Sequence, residues 1–120
     1  MKFKSPIEYS PPVKSLREIM EILAEHKEEI HGKYKVNEIG IFGSYVRGEQ
    51  RKTSDIDILV KFENEESVRG FEFIGLMTDL EDCIQKILGI KPNLASKRHA
   101  MQSDKWKDIE KEVIYVQYGN

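Results

Sequence analysis

A small-residue turn followed by an arginine gives this chain groups that can bind phosphate. The apolar run Ile39–Phe42 predicts a buried strand, and Gly43 ends it, because a residue without a side chain lets the backbone turn sharply and a ligand approach closely. Ser44 is a favourable N-cap, so a short helix over Ser44–Arg47 is expected, and the N–H groups at a helix N-terminus favour an anion. Arg47 adds a permanently charged, forked donor that suits phosphate oxygens.

Two acids follow the turn after a ten-residue spacer and suit a hard cation. Asp55 and Asp57 stand two apart in an otherwise apolar strand, so both carboxylates point to one face and can share a metal ion. Ile56, Ile58 and Val60 point the other way, into a core. Neighbouring like charges repel each other unless a cation sits between them, so the pair costs stability without one. The layout suits a nucleoside triphosphate and its magnesium ion at a sheet edge.

Each of these features also has a commonplace explanation. A Gly-Ser pair is a turn in most proteins, an isolated Asp-x-Asp is usually a solvated strand end, and Arg47 alone is most often a surface charge. Their combination in this order and at this spacing favours the functional interpretation.

The pattern Gly-Ser-x10-Asp-x-Asp, with Arg-Gly inside the spacer, resembles the minimal nucleotidyltransferases of the DNA polymerase beta superfamily. The resemblance covers nearly the whole chain. It implies that Gly43 and Ser44 hold the triphosphate of ATP, and that Asp55 and Asp57 are the catalytic acids that hold Mg²⁺. It also implies a partner, since the small stand-alone members often pair with HEPN-type ribonuclease toxins.

The chain departs from this family at the third acid of the metal site. The family's segment follows a Leu-Gly helix end, and after Leu88-Gly89 it is Asn93 that falls where the aspartate is expected. Asparagine offers a carbonyl oxygen as a weak metal ligand, but it cannot accept a proton as a general base. Pro92 removes a ladder donor and so indicates an edge strand or an irregular approach to the sheet. If another carboxylate supplies the missing function, Glu63 is the first candidate and Asp104 the second.

Length and composition predict one small domain over residues 1–120, with residues 1–13 as a loose N-terminal arm. The formal net charge of −2 argues against a protein that binds nucleic acid directly through bulk charge. No apolar run is long enough to cross a membrane, and no export signal is visible. Cys83 is the only cysteine, so no internal disulfide can form, which favours a reducing cytoplasm.

The periodicity of apolar residues predicts the remaining elements. Ser15 caps a helix that runs to about His31, with Glu18 completing a capping box, and Gly32 ends it. A polar loop over residues 63–70 precedes a long helix over Phe71–Leu88, which Gly89 closes. A short helix over 103–111 and a closing strand over 113–116 follow. The expected fold class is α/β (α+β), a small mixed sheet with helices on one face, which is the polymerase beta-like nucleotidyltransferase fold.

Three functions from different classes remain open at this point. The first is transfer of AMP from ATP to a hydroxyl of a partner toxin, with release of pyrophosphate, by the antitoxin of a type VII-like toxin–antitoxin pair. The second is a catalytically impaired, nucleotide-binding antitoxin that masks its toxin by contact, which Asn93 favours. The third is a nucleotidyltransferase that acts on a small molecule or a nucleic acid. Trp106, Tyr115 and Tyr118 suit either a core or a dimer contact, so a homo-oligomer is also open.

Overall fold

The computed structural model describes residues 14–63 and 70–117. The expected arm over residues 1–13 lies outside these ranges, as does most of the expected polar loop over 63–70. Within the described ranges the elements follow in this order: α1 Leu16–Glu25, α2 Lys27–Tyr34, β1 Val36–Phe42, α3 Ser44–Arg47, β2 Ile56–Phe62, α4 Phe71–Leu88, β3 Pro92–Ser96, α5 Lys97–Ala100, α6 Trp106–Glu112 and β4 Ile114–Tyr115.

The four strands form one mixed sheet in the order β3-β2-β1-β4. β1 pairs antiparallel with β2 on one side and with β4 on the other, while β2 pairs parallel with β3. Pro92 opens an edge strand, as its missing N–H predicts. The expected class, a mixed sheet with helices, is confirmed.

The core lies between one face of the sheet and the helices α1, α2 and α4. Ile56, Ile58 and Val60 of β2 are completely buried, which confirms that they point away from the acids. They belong to a single apolar cluster with side chains of the three helices, among them Ile19, Leu23, Ile30, Leu80, Ile84 and Leu88. Burying such side chains stabilises the fold by roughly 1.5–3 kcal/mol each. Leu59 and Ala100 are buried outside this cluster.

The start of the first helix follows the sequence prediction. The Glu18 backbone N–H donates to Ser15 Oγ at 3.2 Å, and the Ser15 backbone N–H donates to Glu18 Oε1 at 3.1 Å. This reciprocal capping box satisfies two N–H groups that have no partner inside the helix.

The predicted end of this helix at Gly32 is wrong. The helix breaks earlier, at His26, and a second helix continues through Gly32 to Tyr34. Lys35 then adopts the left-handed conformation, with φ of 61°, and its N–H donates to the His31 carbonyl at 2.8 Å. The helix runs past the glycine because Tyr34, only 7% exposed, packs into the core. Tertiary packing thus decides this boundary.

A buried lysine ties the end of the described chain to the sheet. Lys27, only 6% exposed, donates from Nζ to the Val116 carbonyl at 3.0 Å, and the Val116 N–H donates to the Ile39 carbonyl at 2.8 Å. Burial lowers the pKa of Lys27 below its usual value, although the nearby Glu38 carboxylate acts in the opposite direction. These bonds hold β4 against β1, and therefore fix where α6 ends.

None of the helices formed by residues 14–63 and 70–117 combines the length and the apolar character that a bilayer crossing requires.

Two glycines in contrasting places give a test of this architecture. A Cβ at Gly40 would lie 2.6 Å from Val113 Cγ2 and 3.1 Å from the Tyr115 ring, whereas a Cβ at Gly32 would meet nothing within 4 Å. Gly40→Ala should therefore destabilise the protein by about 1–3 kcal/mol through overpacking. Gly32→Ala, inside a helix, should stabilise it by roughly 0.4–1 kcal/mol. Urea unfolding of both variants checks the pair, and shifts of the same sign would contradict the described packing.

Candidate active site

Gly43 lies where the end of β1 meets the start of β2 in the sheet. The register pairs Phe42, the last residue of β1, with Asp57 of β2. Gly43 follows with φ of 81° and ψ of −149°, a conformation that favours glycine. A Cβ at this position would also overlap the Asp57 carboxylate, whose Cγ lies 3.0 Å from where that Cβ would be. Glycine is thus required here for two reasons, the backbone conformation and the close approach of Asp57. Because the side chain is missing, the Asp57 carboxylate lies directly against the turn.

The short helix after this turn is confirmed, but its cap is not the predicted one. Gly43, rather than Ser44, is the flanking residue, because its carbonyl accepts the N–H groups of Val46 at 3.0 Å and Arg47 at 3.2 Å. Ser44 is already the first helical residue. Its hydroxyl therefore does not serve as a cap, and it lies on the first turn of α3, beside Gly43.

The two acids lie at the start of β2. Asp57 alternates with the buried Ile56 and Ile58, and Asp55 stands immediately before the strand; both acids are partly exposed. Burial raises the pKa of Asp57 above the usual carboxyl value, the hydrogen bond from Asn93 lowers it, and the charge of Asp55 raises it. Burial and the neighbouring Asp55 thus disfavour the ionised form of Asp57.

Asn93 stands beside Asp57. The parallel register of β2 and β3 pairs the two residues, and Asn93 Nδ2 donates to Asp57 Oδ1 at 3.3 Å. The amide thus lies on the neighbouring strand, in contact with the Asp57 carboxylate. The hydrogen bond from the Asn93 amide stabilises the ionised form of Asp57 in part.

Glu63 cannot supply the missing carboxylate, so that prediction is wrong. It follows the opposite end of β2, six residues beyond Asp57, which corresponds to about 20 Å along a strand. There its N–H donates to the Lys35 carbonyl at 2.7 Å, and its Oε2 lies 3.6 Å from His31 Nε2. Asp104 lies in an exposed turn before α6.

The sequence prediction missed Glu112, which contacts two residues of the motif. The Gly43 N–H donates to Glu112 Oε2 at 2.7 Å, and Arg47 Nη1 donates to Glu112 Oε1 at 3.0 Å and to Oε2 at 3.2 Å. Arg47 Nε donates to Glu49 Oε1 at 2.9 Å. These hydrogen bonds, first to Glu49 and then to Glu112, raise the pKa of Arg47. No local spacing signals this contact, because it joins residues 69 apart.

The acidic pair fits a magnesium ion that arrives with a nucleotide. Mg²⁺ is usually bound by one or two carboxylates together with substrate phosphates and water. Asp55 and Asp57 supply two such carboxylates, and the raised pKa of Asp57 indicates a charge that a cation would relieve. Within residues 14–63 and 70–117, no cluster of three or more His, Cys, Asp or Glu side chains is arranged to hold a metal alone. The residues therefore suit Mg²⁺ bound jointly with phosphates.

A separate surface cleft of about 630 Å³ lies between α2 and α4. Its lining includes Lys33, Asp79 and Lys86, and it contains none of the motif residues. The cleft and the motif residues thus lie at different places on the protein surface. We assign the site by the motif, because phosphate and magnesium require the donor and acid groups that lie there.

The free-energy cost of ionising Asp57 in the folded protein predicts that the stability depends on pH. A carboxyl whose folded pKa is raised destabilises the fold when ionised; this cost is absent below the unfolded pKa, about 4, and complete above the folded pKa. Asp57→Asn should therefore raise the Tm of the metal-free protein at pH 7 by roughly 2–5 °C. The difference should shrink as the pH falls towards about 4. Thermal unfolding in EDTA at both pH values measures it.

Asp104→Asn is the matched control, because it removes one carboxylate from an exposed turn. Its Tm should stay within about 1 °C of the native value. A Tm for Asp57→Asn that is lower than native at pH 7 would contradict the conclusion that ionised Asp57 destabilises the fold.

Comparisons with known proteins agree with the geometry. The family model described as "Nucleotidyltransferase domain" matches residues 23–116. A candidate protein adenylyltransferase of Methanocaldococcus jannaschii is 44% identical over 104 residues, which cover 87% of this chain and all of the relative. The protein adenylyltransferase MntA of Thermococcus cleftensis is 41% identical over 102 residues, which cover 85% of this chain and 96% of the relative.

Solved structures share the fold. A minimal nucleotidyltransferase superposes with a TM-score of 0.63 at 24% identity, covering 87% of this chain and 98% of the other. A toxin–antitoxin complex with AMP-PNP gives 0.56 at 17% identity, covering 81% and 74%. A complex of tri-AMPylated Shewanella oneidensis HEPN toxin with MNT antitoxin gives 0.52 at 14%, covering 83% and 73%. The solved structures show the shared fold, and the family model with these relatives shows that the chain belongs to the nucleotidyltransferase domain family.

Proposed function

We propose that this protein is a magnesium-dependent protein adenylyltransferase that transfers AMP from ATP to a hydroxyl of a partner toxin. One observation carries the proposal: Gly43 places the Asp57 carboxylate directly on the turn that is expected to hold the triphosphate. A metal ion held by Asp55 and Asp57 would then lie next to the phosphates. The relatives that are 41–44% identical over nearly their whole length are named as protein adenylyltransferases, which supports a protein acceptor.

The proposed partner is a HEPN-type toxin, for which this chain is the antitoxin. The support comes from two solved complexes with a similar fold, one of a toxin–antitoxin pair with AMP-PNP and one of an AMPylated HEPN toxin with its MNT antitoxin. The same AMP-PNP complex supports ATP as the nucleotide.

The proposed reaction assigns a role to each residue of the site. The turn at Gly43 and Ser44, with Arg47, would hold the triphosphate, and Asp55 and Asp57 would hold Mg²⁺, which neutralises phosphate charge in such sites. The hydroxyl oxygen of the acceptor forms a bond to the α-phosphorus, while the bond from that phosphorus to the β-phosphate oxygen breaks and pyrophosphate leaves. The hydroxyl proton would pass to water, to a group of the partner or to one of the two carboxylates, since the Asn93 amide cannot accept it.

A second candidate function is masking of the toxin by contact alone. Asn93 favours it, since the amide beside Asp57 provides neither a third carboxylate ligand nor a proton acceptor. In that case the nucleotide pocket would regulate the complex without turnover.

The acidic pair provides the decisive test of the enzymatic proposal. The native protein, incubated with its cognate toxin, Mg²⁺ and ATP, should add one or more AMP units to the toxin, as intact-mass spectrometry would detect. Asp55→Asn and Asp57→Asn should each reduce this transfer by at least about 100-fold, because a loss of several kcal/mol of charge stabilisation is expected. Asp82→Asn, at an exposed position of α4, should transfer AMP at the native rate.

The same assay separates the two candidate functions. If the native protein adds no AMP but still neutralises the toxin, and the Asp55→Asn, Asp57→Asn double variant neutralises it equally, masking by contact is the function.

Asn93→Asp tests whether the amide limits the chemistry. A carboxylate beside Asp57 would add a ligand and a proton acceptor, so Mg²⁺ affinity and AMP transfer should both rise, by roughly tenfold in rate. Calorimetry and the mass assay measure the two effects. Asn37→Asp, at an exposed position of β1, adds the same charge elsewhere and should change neither. Efficient transfer by the native protein, unchanged in Asn93→Asp, would mean that Asn93 does not limit the reaction.

A further inference from the structure

Two carboxylates bind Arg47, and they differ in exposure and in the number of hydrogen bonds that they accept. Both properties affect how readily a contact can be exchanged for another. The Glu49 side chain is 62% exposed and makes one hydrogen bond to Nε, two residues along the chain. The Glu112 side chain is 24% exposed and bonds Arg47 Nη1 with both oxygens while it also accepts the Gly43 N–H. Exposed single ion pairs contribute little and exchange readily, whereas a partly buried carboxylate with several donors is held in place.

The strand register explains why Glu112 is fixed. β1 and β4 pair Gly40 with Tyr115 and Ile41 with Ile114, and continuing this register by two residues places Glu112 opposite Gly43. At that point the chain is the end of α6 rather than a strand. The Glu112 carboxylate therefore accepts the Gly43 N–H that a strand carbonyl would otherwise accept, and it completes the ladder at this edge of β1.

We propose that Glu112 is a positioning residue that anchors Arg47 and the Gly43 turn for triphosphate binding, and that Glu49 is the exchangeable partner that the nucleotide displaces. The proposal rests on the proposed function, since it assumes that Arg47 contacts phosphates. A guanidinium bound by two carboxylates carries a local net charge of −1, which repels a triphosphate. Release of Glu49 frees Nε, while Glu112 keeps the guanidinium beside Gly43 and leaves the Nη2 group, not bonded by either carboxylate, to the phosphates.

The two glutamates give a charge-matched pair of variants. Glu49→Gln and Glu112→Gln each remove one negative charge next to Arg47, so the general gain in attraction for an anion is common to both. We expect Glu49→Gln to bind ATP in the presence of Mg²⁺ about two- to fivefold more tightly than the native protein. We expect Glu112→Gln to bind ATP about two- to fivefold more weakly, because Arg47 loses its anchor. Isothermal titration calorimetry of the full chain measures both.

Two further readouts separate positioning from a merely structural role. The affinity for AMP should not fall in Glu112→Gln, because we place Arg47 against the β- and γ-phosphates, which AMP lacks; weakening of ATP and AMP alike would indicate a general loss of structure. In an Arg47→Ala background the difference in ATP affinity between the two glutamine variants should shrink, because only the hydrogen bond of Glu112 to the Gly43 turn then separates them.

Each outcome has a distinct meaning. If Glu112→Gln tightens ATP binding as much as Glu49→Gln does, Glu112 competes with phosphate and the positioning role is overturned. If the native protein binds neither ATP nor AMP, the proposed function fails. The anchoring role of Glu112 is then tested by a measurement that needs no nucleotide. Hydrogen exchange of the Gly43 amide should then be faster in Glu112→Ala and native-like in Glu49→Ala, and equal rates in both would overturn the anchor.

Discussion

The site depends on one close approach, that of the Asp57 carboxylate to the backbone of Gly43. Because β1 and β2 are antiparallel, the end of one strand meets the start of the other, and the pairing of Phe42 with Asp57 sets this meeting point. The positive φ of Gly43 turns the chain there, and the missing side chain leaves the space that the carboxylate fills. The turn that we propose for phosphate and the acid that we propose for the metal ion thus become neighbours through the pairing of the two strands and the absence of a side chain at Gly43.

The other strands bring the remaining groups to the same end of the sheet. Parallel pairing of β3 places Asn93 beside Asp57, and antiparallel pairing of β4 places Glu112 opposite Gly43. The buried Lys27, through its bond to Val116, helps to hold β4 in this register. The helices α1, α2 and α4 contribute the core that keeps the sheet in place, while the candidate site lies on strand ends and on the short helix α3.

The parts of the site that are local in sequence could be predicted, and those that depend on long-range register could not. The alternation around Asp57 and the helix over Ser44–Arg47 follow from neighbouring residues, so they were found. The contact of Glu112 joins residues 69 apart along the chain, and only the pairing of β1 with a two-residue strand brings it to Gly43. Gly32 failed as a helix end for a related reason, because burial of Tyr34 outweighs the local preference of glycine.

A crystal structure of the protein with Mg²⁺ and an ATP analogue that cannot release pyrophosphate tests the central claim most directly. The account predicts a metal ion bound by Asp55 and Asp57, and a triphosphate that lies over Gly43 and Ser44. A nucleotide bound in the cleft between α2 and α4, with the Gly43 turn and both acids free of ligand, would contradict it.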